Sequence, residues 1–235
     1  MNKKVCFATG NIWRWHKDRH ELIKISRQFD FEGIEITLAS ERELFRFKPD
    51  KELKDFIKSL DYVSIHSPFR YHSFEDKQQK AVLNALQSVY PKINASNVVF
   101  HAIKVDNYDN LVNRGMNISI ENLTPRSNLS HEDMKKILDI NPKIGLTLDI
   151  NHAMVHSEDM VKNLVKIFKD KVVQIHCSAY LNKTEHQPLH KADDEYLDKI
   201  DIVRKLNVPL VLEADFPKDS HDAIKKELEF LKNWY

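Results

Sequence analysis

Six short apolar segments of this chain each end on a side chain that can bind a metal ion. They read VSIHSP, VVFHA, ISIEN, GLTLDINH, VVQIHC and PLVLEAD, and the polar residues that end them are His66, His101, Glu121, Asp149, His176 and Glu213. Successive residues of a strand point to opposite faces, so the apolar residues of each segment share one face and the polar residue takes the other. Chelating groups at the carboxyl ends of parallel strands predict a barrel with a metal site in its mouth.

Strand-like and helix-like segments alternate along all 235 residues. Charged stretches with apolar residues at helical spacing separate strands predicted near 3–8, 32–38, 61–66, 97–103, 117–121, 144–149, 171–177 and 208–213. The alternative, an open doubly wound sheet, usually binds its ligand through a glycine-rich first turn, whereas TGNIWRW follows the first strand here. The predicted fold is therefore α/β, a single (β/α)8 TIM barrel over residues 1–235, with a metal site at the C-terminal mouth of the strands.

The composition excludes several classes of protein. Lys plus Arg is 36 and Asp plus Glu is 35, so the net charge of +1 gives no overall basic excess for nucleic acid. No window is apolar enough for a membrane span, and the apolar run near the N-terminus is too short for a signal peptide. The two cysteines, Cys6 and Cys177, lie in predicted strands and are expected to be reduced, which favours a cytoplasmic protein. The sequence does not determine the oligomeric state.

Four of the strand-end residues come from successive strands, the fifth to the eighth, and are expected to converge: Glu121, Asp149, His176 and Glu213. Carboxylates buried at one depth would repel one another strongly without a cation. Three carboxylates and one imidazole suit a hard divalent ion such as Mn²⁺ or Mg²⁺, and Zn²⁺ also accepts these ligands. The predicted cofactor is therefore a divalent metal held by this quartet.

Four histidines are predicted to extend the metal site. His66 and His101, on the third and fourth strands, neighbour the quartet and are candidates to bind a second ion that shares Glu121. His152 lies at the rim in the DINHA segment, and His186 in the seventh loop is its candidate partner for a further ion or for substrate. A single histidine on a strand is more often a hydrogen-bonded core residue than a ligand, so the number of ions stays open between one and three.

Long connections follow the third, fifth and seventh strands, at residues 67–73, 122–129 and 178–190. In a barrel these loops build the active-site face. They contain Arg70, Arg126 and Lys183, which we predict to be substrate contacts. Trp13, after the first strand, is a further candidate that would cover a sugar or a base, although packing at the rim would explain it equally well.

The order of these motifs resembles the xylose-isomerase-like TIM barrels, which comprise sugar isomerases and epimerases together with endonuclease IV. H-x-P, F-H, S-I-E-N, L-D-x-x-H, I-H, H-x-P-L and L-E follow one another, and the resemblance runs from FEGIEIT to VLEADF. It implies that the quartet corresponds to the single-metal site of the sugar epimerases. It also implies that four histidines match positions that endonuclease IV uses for a trinuclear zinc cluster, namely His66, His101, His152 and His186.

The chain departs from both branches of this superfamily. The nuclease pattern has an Asp two residues before the seventh-loop histidine, and here that place is Thr184. The adjacent Glu185 is expected to point differently, so we predict an incomplete third-metal position. The nuclease-like opening is absent, and HKADD replaces the glycine-rich turn that epimerases usually have after H-x-P-L.

The favoured function is a metal-dependent sugar or sugar phosphate isomerase or epimerase. The metal would polarise a carbonyl and stabilise an enediolate, while Glu121 and Glu213 exchange the proton as base and acid. One alternative is an endonuclease IV-like phosphodiesterase that acts on abasic DNA. Another is a barrel without catalytic activity that keeps its metal site for structure or ligand sensing.

Overall fold

A computed structural model of the chain describes residues 3–69, 77–102, 108–125 and 129–235. Eight parallel strands close into a barrel in the order β1-β10-β7-β6-β5-β4-β3-β2, which confirms the predicted architecture. The barrel strands are β1 Lys4–Ala8, β2 Gly33–Thr37, β3 Tyr62–His66, β4 Asn97–His101, β5 Ile118–Glu121, β6 Ile144–Asp149, β7 Val172–Cys177 and β10 Pro209–Leu212. An antiparallel hairpin outside the barrel, β8 Ala179–Leu181 with β9 Thr184–Gln187, occupies part of the predicted seventh loop.

Helices connect the strands and surround the barrel. They are α1 Arg19–Ser26, α2 Glu41–Arg46, α3 Lys51–Ser59, α4 Lys77–Val89, α5 Asp109–Val112, α6 His131–Ile140, α7 Ile150–His156, α8 Met160–Phe168, α9 Asp194–Ile200 and α10 His221–Trp234. Several begin at side-chain caps, such as the reciprocal pair of Ser130 and Asp133 at the start of α6. Among the helices that the structure describes, none combines the length and the hydropathy needed to cross a membrane.

The alternation within each strand divides the molecule into two cores. In β5, Ile118 and Ile120 belong to the large apolar core between barrel and helices, whereas Ser119 and Glu121 are buried on the opposite, inner face. A separate small cluster of Cys6, Ala8, Tyr62 and Val211 forms an apolar floor inside the barrel. Both cysteines are free and buried.

Above this floor the barrel interior is polar and hydrogen-bonded. The Tyr62 hydroxyl donates to Gln174 Oε1 at 2.6 Å, and Asn97 Nδ2 donates to Ser119 Oγ at 2.7 Å. The hydroxyls of Ser119 and Thr147 lie 2.6 Å apart. Buried polar groups that satisfy one another in this way define a unique arrangement of side chains, and this layer supports the residues at the mouth.

Candidate metal centre and substrate pocket

The carboxyl ends of four neighbouring strands bring the predicted quartet together. One ligand atom each from Glu121, Asp149, His176 and Glu213 lies within 4.8 Å of the others. Asp149 of β6 stands in register with His176 of β7, and Glu213 directly follows the end of β10. In parallel strands, side chains at matching register lie at the same depth, so these groups face one another across the mouth.

Local hydrogen bonds set the direction of the Asp149 carboxylate. Its backbone N–H donates to Asn122 Oδ1 at 2.8 Å, and Asn122 Nδ2 donates back to the Asp149 carbonyl at 2.9 Å. Asp149 also caps α7, since its Oδ1 accepts the backbone N–H of His152 at 2.6 Å. The cap uses Oδ1 of Asp149 and leaves Oδ2 on the side of the quartet, 4.0 Å from Nδ1 of His176.

Three atoms of the quartet are buried without a hydrogen-bond partner among the described residues: Asp149 Oδ2, His176 Nδ1 and Glu213 Oε2. His176 Nδ1 and Glu213 Oε2 are 2.8 Å apart and form an ion pair when the imidazole is protonated. Buried polar atoms are normally paired. Nitrogen and oxygen ligands about 2 Å from one zinc ion stand roughly 3 Å from each other. The donor set and its unpaired atoms therefore fit a shared divalent cation.

The charges at this site depend strongly on one another. Burial raises the pKa of Asp149 to about 7. Burial alone would also raise the pKa of Glu213, but the adjacent His176 lowers it to about 2. Burial opposes the charged form of His152, yet Asp149 and Glu121 raise its pKa to about 10. The protein alone thus balances this cluster by sharing protons, a role that a cation would take over.

His66 and His101 lie beside the carboxylate of Glu121, and His66 forms a second group of ligand atoms with Glu121 and His176. Nδ1 of His66 lies 2.9 Å from the Ser67 carbonyl, which only accepts, so Nδ1 is the donor. Nε2 of His66 then faces Glu121 Oε2 at 3.0 Å. A neutral imidazole would present a lone pair there, so a proton or a cation has to lie between the two atoms. His101 Nε2 is 3.7 Å from the same oxygen, and burial lowers the pKa of His101 to about 4.

A third group of ligand atoms lies at the rim, where His152, Glu185 and His186 approach within 4.8 Å of one another. The expectation that Glu185 would point differently is therefore wrong. Three residues of the β8–β9 hairpin have a left-handed backbone, Asn182, Lys183 and His186, so the hairpin departs from regular strand geometry beside Glu185. Thr184, in contrast, is exposed.

A buried glutamate of α10 anchors the segment that follows this hairpin. Glu227 is fully buried and accepts the backbone N–H groups of Leu189, at 2.7 Å, and His190, at 3.0 Å. It also pairs with Nδ1 of His190 at 2.5 Å. Since His186 precedes this segment by a few residues, the anchor restricts where the hairpin can sit over the mouth.

A pocket of about 390 Å³ adjoins the quartet, within the size range of small-molecule sites. Glu213 and His186 line its inner side, and the half-exposed Trp13 and the partly exposed Phe69 provide aromatic surfaces. The Phe69 ring also stacks on His101, with centroids 5.0 Å apart. The remaining lining residues are Gly10, Asn11, Arg19, Thr37, Ala39, Glu43, Ala214 and Asp215.

The predicted substrate-contact residues lie in different places in the structure. Trp13 lines the pocket, and its indole N–H donates to Asp215 Oδ1 at 3.3 Å. Lys183 is exposed at the tip of the β8–β9 hairpin and is not among the residues that line this pocket. Arg70 and Arg126 lie outside the described residues.

Sequence reasoning missed Glu35, which is fully buried on the inner face of β2. Its Oε2 accepts from Ser64 Oγ and from Gln174 Nε2, both at 2.9 Å, and lies 3.2 Å from Nε2 of His176. The signal was present, because GIEIT shows the same alternation as ISIE. It was overlooked because Glu35 sits in mid-strand rather than at a strand end.

The comparisons with known proteins agree with this geometry at the level of fold. No family model matches the sequence, and no curated protein matches it either.

Solved structures match over nearly the whole chain. A probable 3-DHS dehydratase from Bacillus anthracis has a TM-score of 0.72 at 16% identity, covering 98% of this chain and 99% of that one. A 3-keto-D-glucoside 4-epimerase from E. coli scores 0.69 at 13% identity, with 98% and 99% covered. Endonuclease IV from Thermus thermophilus scores 0.69 at 12% identity, with 98% of each chain covered.

Proposed function

We propose that this chain, which has the fold of the xylose-isomerase-like TIM barrels, is a divalent-metal-dependent isomerase or epimerase of a sugar or sugar phosphate. One observation carries the proposal: ligand atoms of the quartet lie within 4.8 Å of one another, and Glu213, one of its members, also lines the adjoining pocket. An ion site next to a small-molecule pocket suits chemistry beside a carbonyl group. The resemblance of the motifs to those of sugar epimerases supports the same assignment.

Glu121, Asp149, His176 and Glu213 would hold the ion, with Mn²⁺, Mg²⁺ and Zn²⁺ as candidates. When bound, the ion supplies Lewis-acid polarisation of a substrate carbonyl. His66 and His101 stand beside Glu121 and restrict the orientation of its carboxylate. The ligand positions thus come from rigid strand ends rather than from mobile loops, which favours a well-defined geometry.

Glu213 is the stronger candidate for moving a proton at a substrate carbon. Its side chain is 20% exposed and lines the pocket, so a bound substrate can come within hydrogen-bond reach of it. Glu121 is 1% exposed, is surrounded by histidines and is not among the residues that line this pocket. We propose it as the second proton-exchanging group, on the inner side of the quartet. Trp13 and Phe69 would cover the apolar face of the sugar and exclude water.

A second candidate function is metal-assisted hydrolysis of a phosphodiester. The observation that favours it is the presence of two further ligand groups, one around His66 and one formed by His152, Glu185 and His186. Several ions held close together can stabilise both the attacking and the leaving oxygen of a phosphodiester. This candidate would act on abasic DNA, the substrate of the endonuclease branch that the sequence resembles.

Two assays on the same metal-loaded protein separate the candidates. One follows entry of solvent deuterium into a panel of ketoses and their phosphates, and the other follows nicking of a duplex with one abasic site. We expect exchange without nicking. Glu213→Gln should lower exchange by roughly 10²–10⁴-fold, the usual contribution of a positioned acid or base, whereas the exposed Glu229→Gln should leave it unchanged. Nicking of the duplex without deuterium exchange would favour the nuclease. No detectable activity in either assay would favour a barrel with a structural or sensing role.

A further inference from the structure

A second cavity opens at the same end of the barrel as the substrate pocket. It measures about 510 Å³ and lies between the segment that follows β1 and helix α2 after β2. Its permanent cations are Lys17, Arg19, Arg42 and Arg46. Only two carboxylates, Asp18 and Glu43, line the same cavity. The cavity is therefore more positive than the chain as a whole, whose net charge is +1.

Both carboxylates are already engaged with other groups. Asp18 caps α1 by accepting the backbone N–H of His20 at 2.8 Å, and it also contacts the His20 ring at 2.8 Å. Glu43 accepts from Nε and Nη2 of Arg19, at distances from 3.1 to 3.2 Å. The positive charge of the remaining side chains is thus not neutralised within the cavity.

Three cations remain uncommitted. Within the part of the chain that the structure describes, Lys17, Arg42 and Arg46 have no ion-pair partner. Clustered cations repel one another and normally attract counter-charges. Guanidinium groups in particular match the geometry of phosphate oxygens and bind them through paired hydrogen bonds. All three side chains are exposed to solvent, and a phosphate bound in the cavity would give them a counter-charge.

Arg19 and Glu43 form a wall that is common to this cavity and the substrate pocket. Arg19 is only 8% exposed, and its Nη1 has no hydrogen-bond partner among the described residues. The two spaces therefore adjoin at this wall. The unpaired nitrogen of Arg19 is buried inside the wall.

We propose that this cavity binds the phosphoryl group of a phosphorylated sugar whose reacting carbons lie beside Glu213. The position of the reacting end rests on the function proposed above, whereas binding of the phosphoryl group does not. Lys17, Arg42 and Arg46 recognise the phosphate, and the pair of Arg19 and Glu43 separates it from the metal centre. A concave cavity in a chain of balanced charge suits one phosphoryl group better than the extended backbone of a nucleic acid.

The proposal is tested by calorimetric titration of fructose 6-phosphate, fructose and inorganic phosphate into the full chain, with and without chelator. The double variant Arg42→Gln/Arg46→Gln is compared with the wild type. Arg204→Gln serves as the matched control, because Arg204 is exposed after α9, far along the chain from both cavities. We expect the affinity of the double variant for fructose 6-phosphate and for inorganic phosphate to fall by roughly tenfold or more, because at least one charge-assisted contact is lost. Binding of fructose should not change, and phosphate binding should survive chelation and weaken with salt.

Equal phosphate binding by wild type and double variant would overturn the proposal, as would phosphate binding that chelation abolishes. If the double variant lost affinity only for duplex DNA, the cavity would belong to a nucleic-acid surface and the proposal would also fall. The two proposals can fail separately. If no deuterium enters any sugar but phosphate binding is intact and depends on the arginines, only the isomerase proposal is rejected. If deuterium enters a sugar but phosphate binding does not depend on the arginines, only the phosphate site is rejected.

Discussion

Glu35 Oε2 lies 3.2 Å from Nε2 of His176, on the opposite side of the imidazole from the nitrogen that faces Glu213. The amide nitrogen of Gln174 lies 2.9 Å from the same Nε2. When a cation occupies the quartet, donation of Nε2–H to Glu35 would leave the lone pair of Nδ1 for the ion. Histidines that bind metal ions are commonly oriented in this way by a second carboxylate. We therefore propose Glu35 as a positioning residue that would act on a bound ion through His176 rather than by direct contact.

We predict that Glu35→Gln weakens metal binding by roughly 10–100-fold, the usual cost of losing an outer-shell carboxylate. Affinity for Zn²⁺ measured against a chelating indicator gives the readout independently of activity. Ser64→Ala is the matched control, since it removes another hydrogen bond to the same Glu35 oxygen and leaves the contact with His176 in place. An affinity that is the same in both variants and the wild type would contradict the positioning role.

Asp149→Asn tests the metal quartet without removing the helix cap. Asn caps helices about as well as Asp, so α7 should keep its cap while the quartet loses a charged ligand. Asp193→Asn is the matched control, because Asp193 caps α9 through the N–H of Tyr196. We expect elemental analysis to find metal in the control and little in Asp149→Asn. Equal metal content in the two proteins would remove Asp149 from the ligand set.

Removing the metal should lower the melting temperature. A ligand at about 100 times its Kd stabilises the folded state by about 2.7 kcal/mol, which corresponds to several degrees in a chain of this length. Stripping it also leaves the three carboxylates of the quartet facing one another. Thermal melts with chelator, and then with added Mn²⁺ or Zn²⁺, measure the effect. A melting temperature that changes neither with chelator nor with added Mn²⁺ or Zn²⁺ would argue against an occupied site.

The chelator-treated protein should lose stability as the pH rises from about 7 to about 10. The pKa of His152 is raised from 6.5 to about 10 by Asp149 and Glu121, although burial opposes this. A raised histidine pKa means that the folded state binds the proton more tightly. The contribution of His152 to the free energy of unfolding is complete below the pKa that His152 has in the unfolded chain. It is lost as the pH rises through the pKa that His152 has in the folded protein. Urea unfolding should show this decline in the wild type and a flatter profile in His152→Gln. Parallel profiles would contradict the assignment.

The sequence alone predicted the barrel and the meeting of the four residues of the quartet. Alternation with period two is local, and closing parallel strands places their carboxyl ends at one level, so Asp149 and His176 had to meet. Only the tertiary structure decided how distant segments combine. Glu35 and His176 stand 141 residues apart, and their contact depends on the closed barrel. Glu185 joins His152 because the β8–β9 hairpin packs against α7. Arg42 and Arg46 share a cavity with Lys17 because helix α2 lies beside the segment that follows β1. Side-chain directions in turns and loops depend on packing between remote parts of the chain, which local periodicity does not encode.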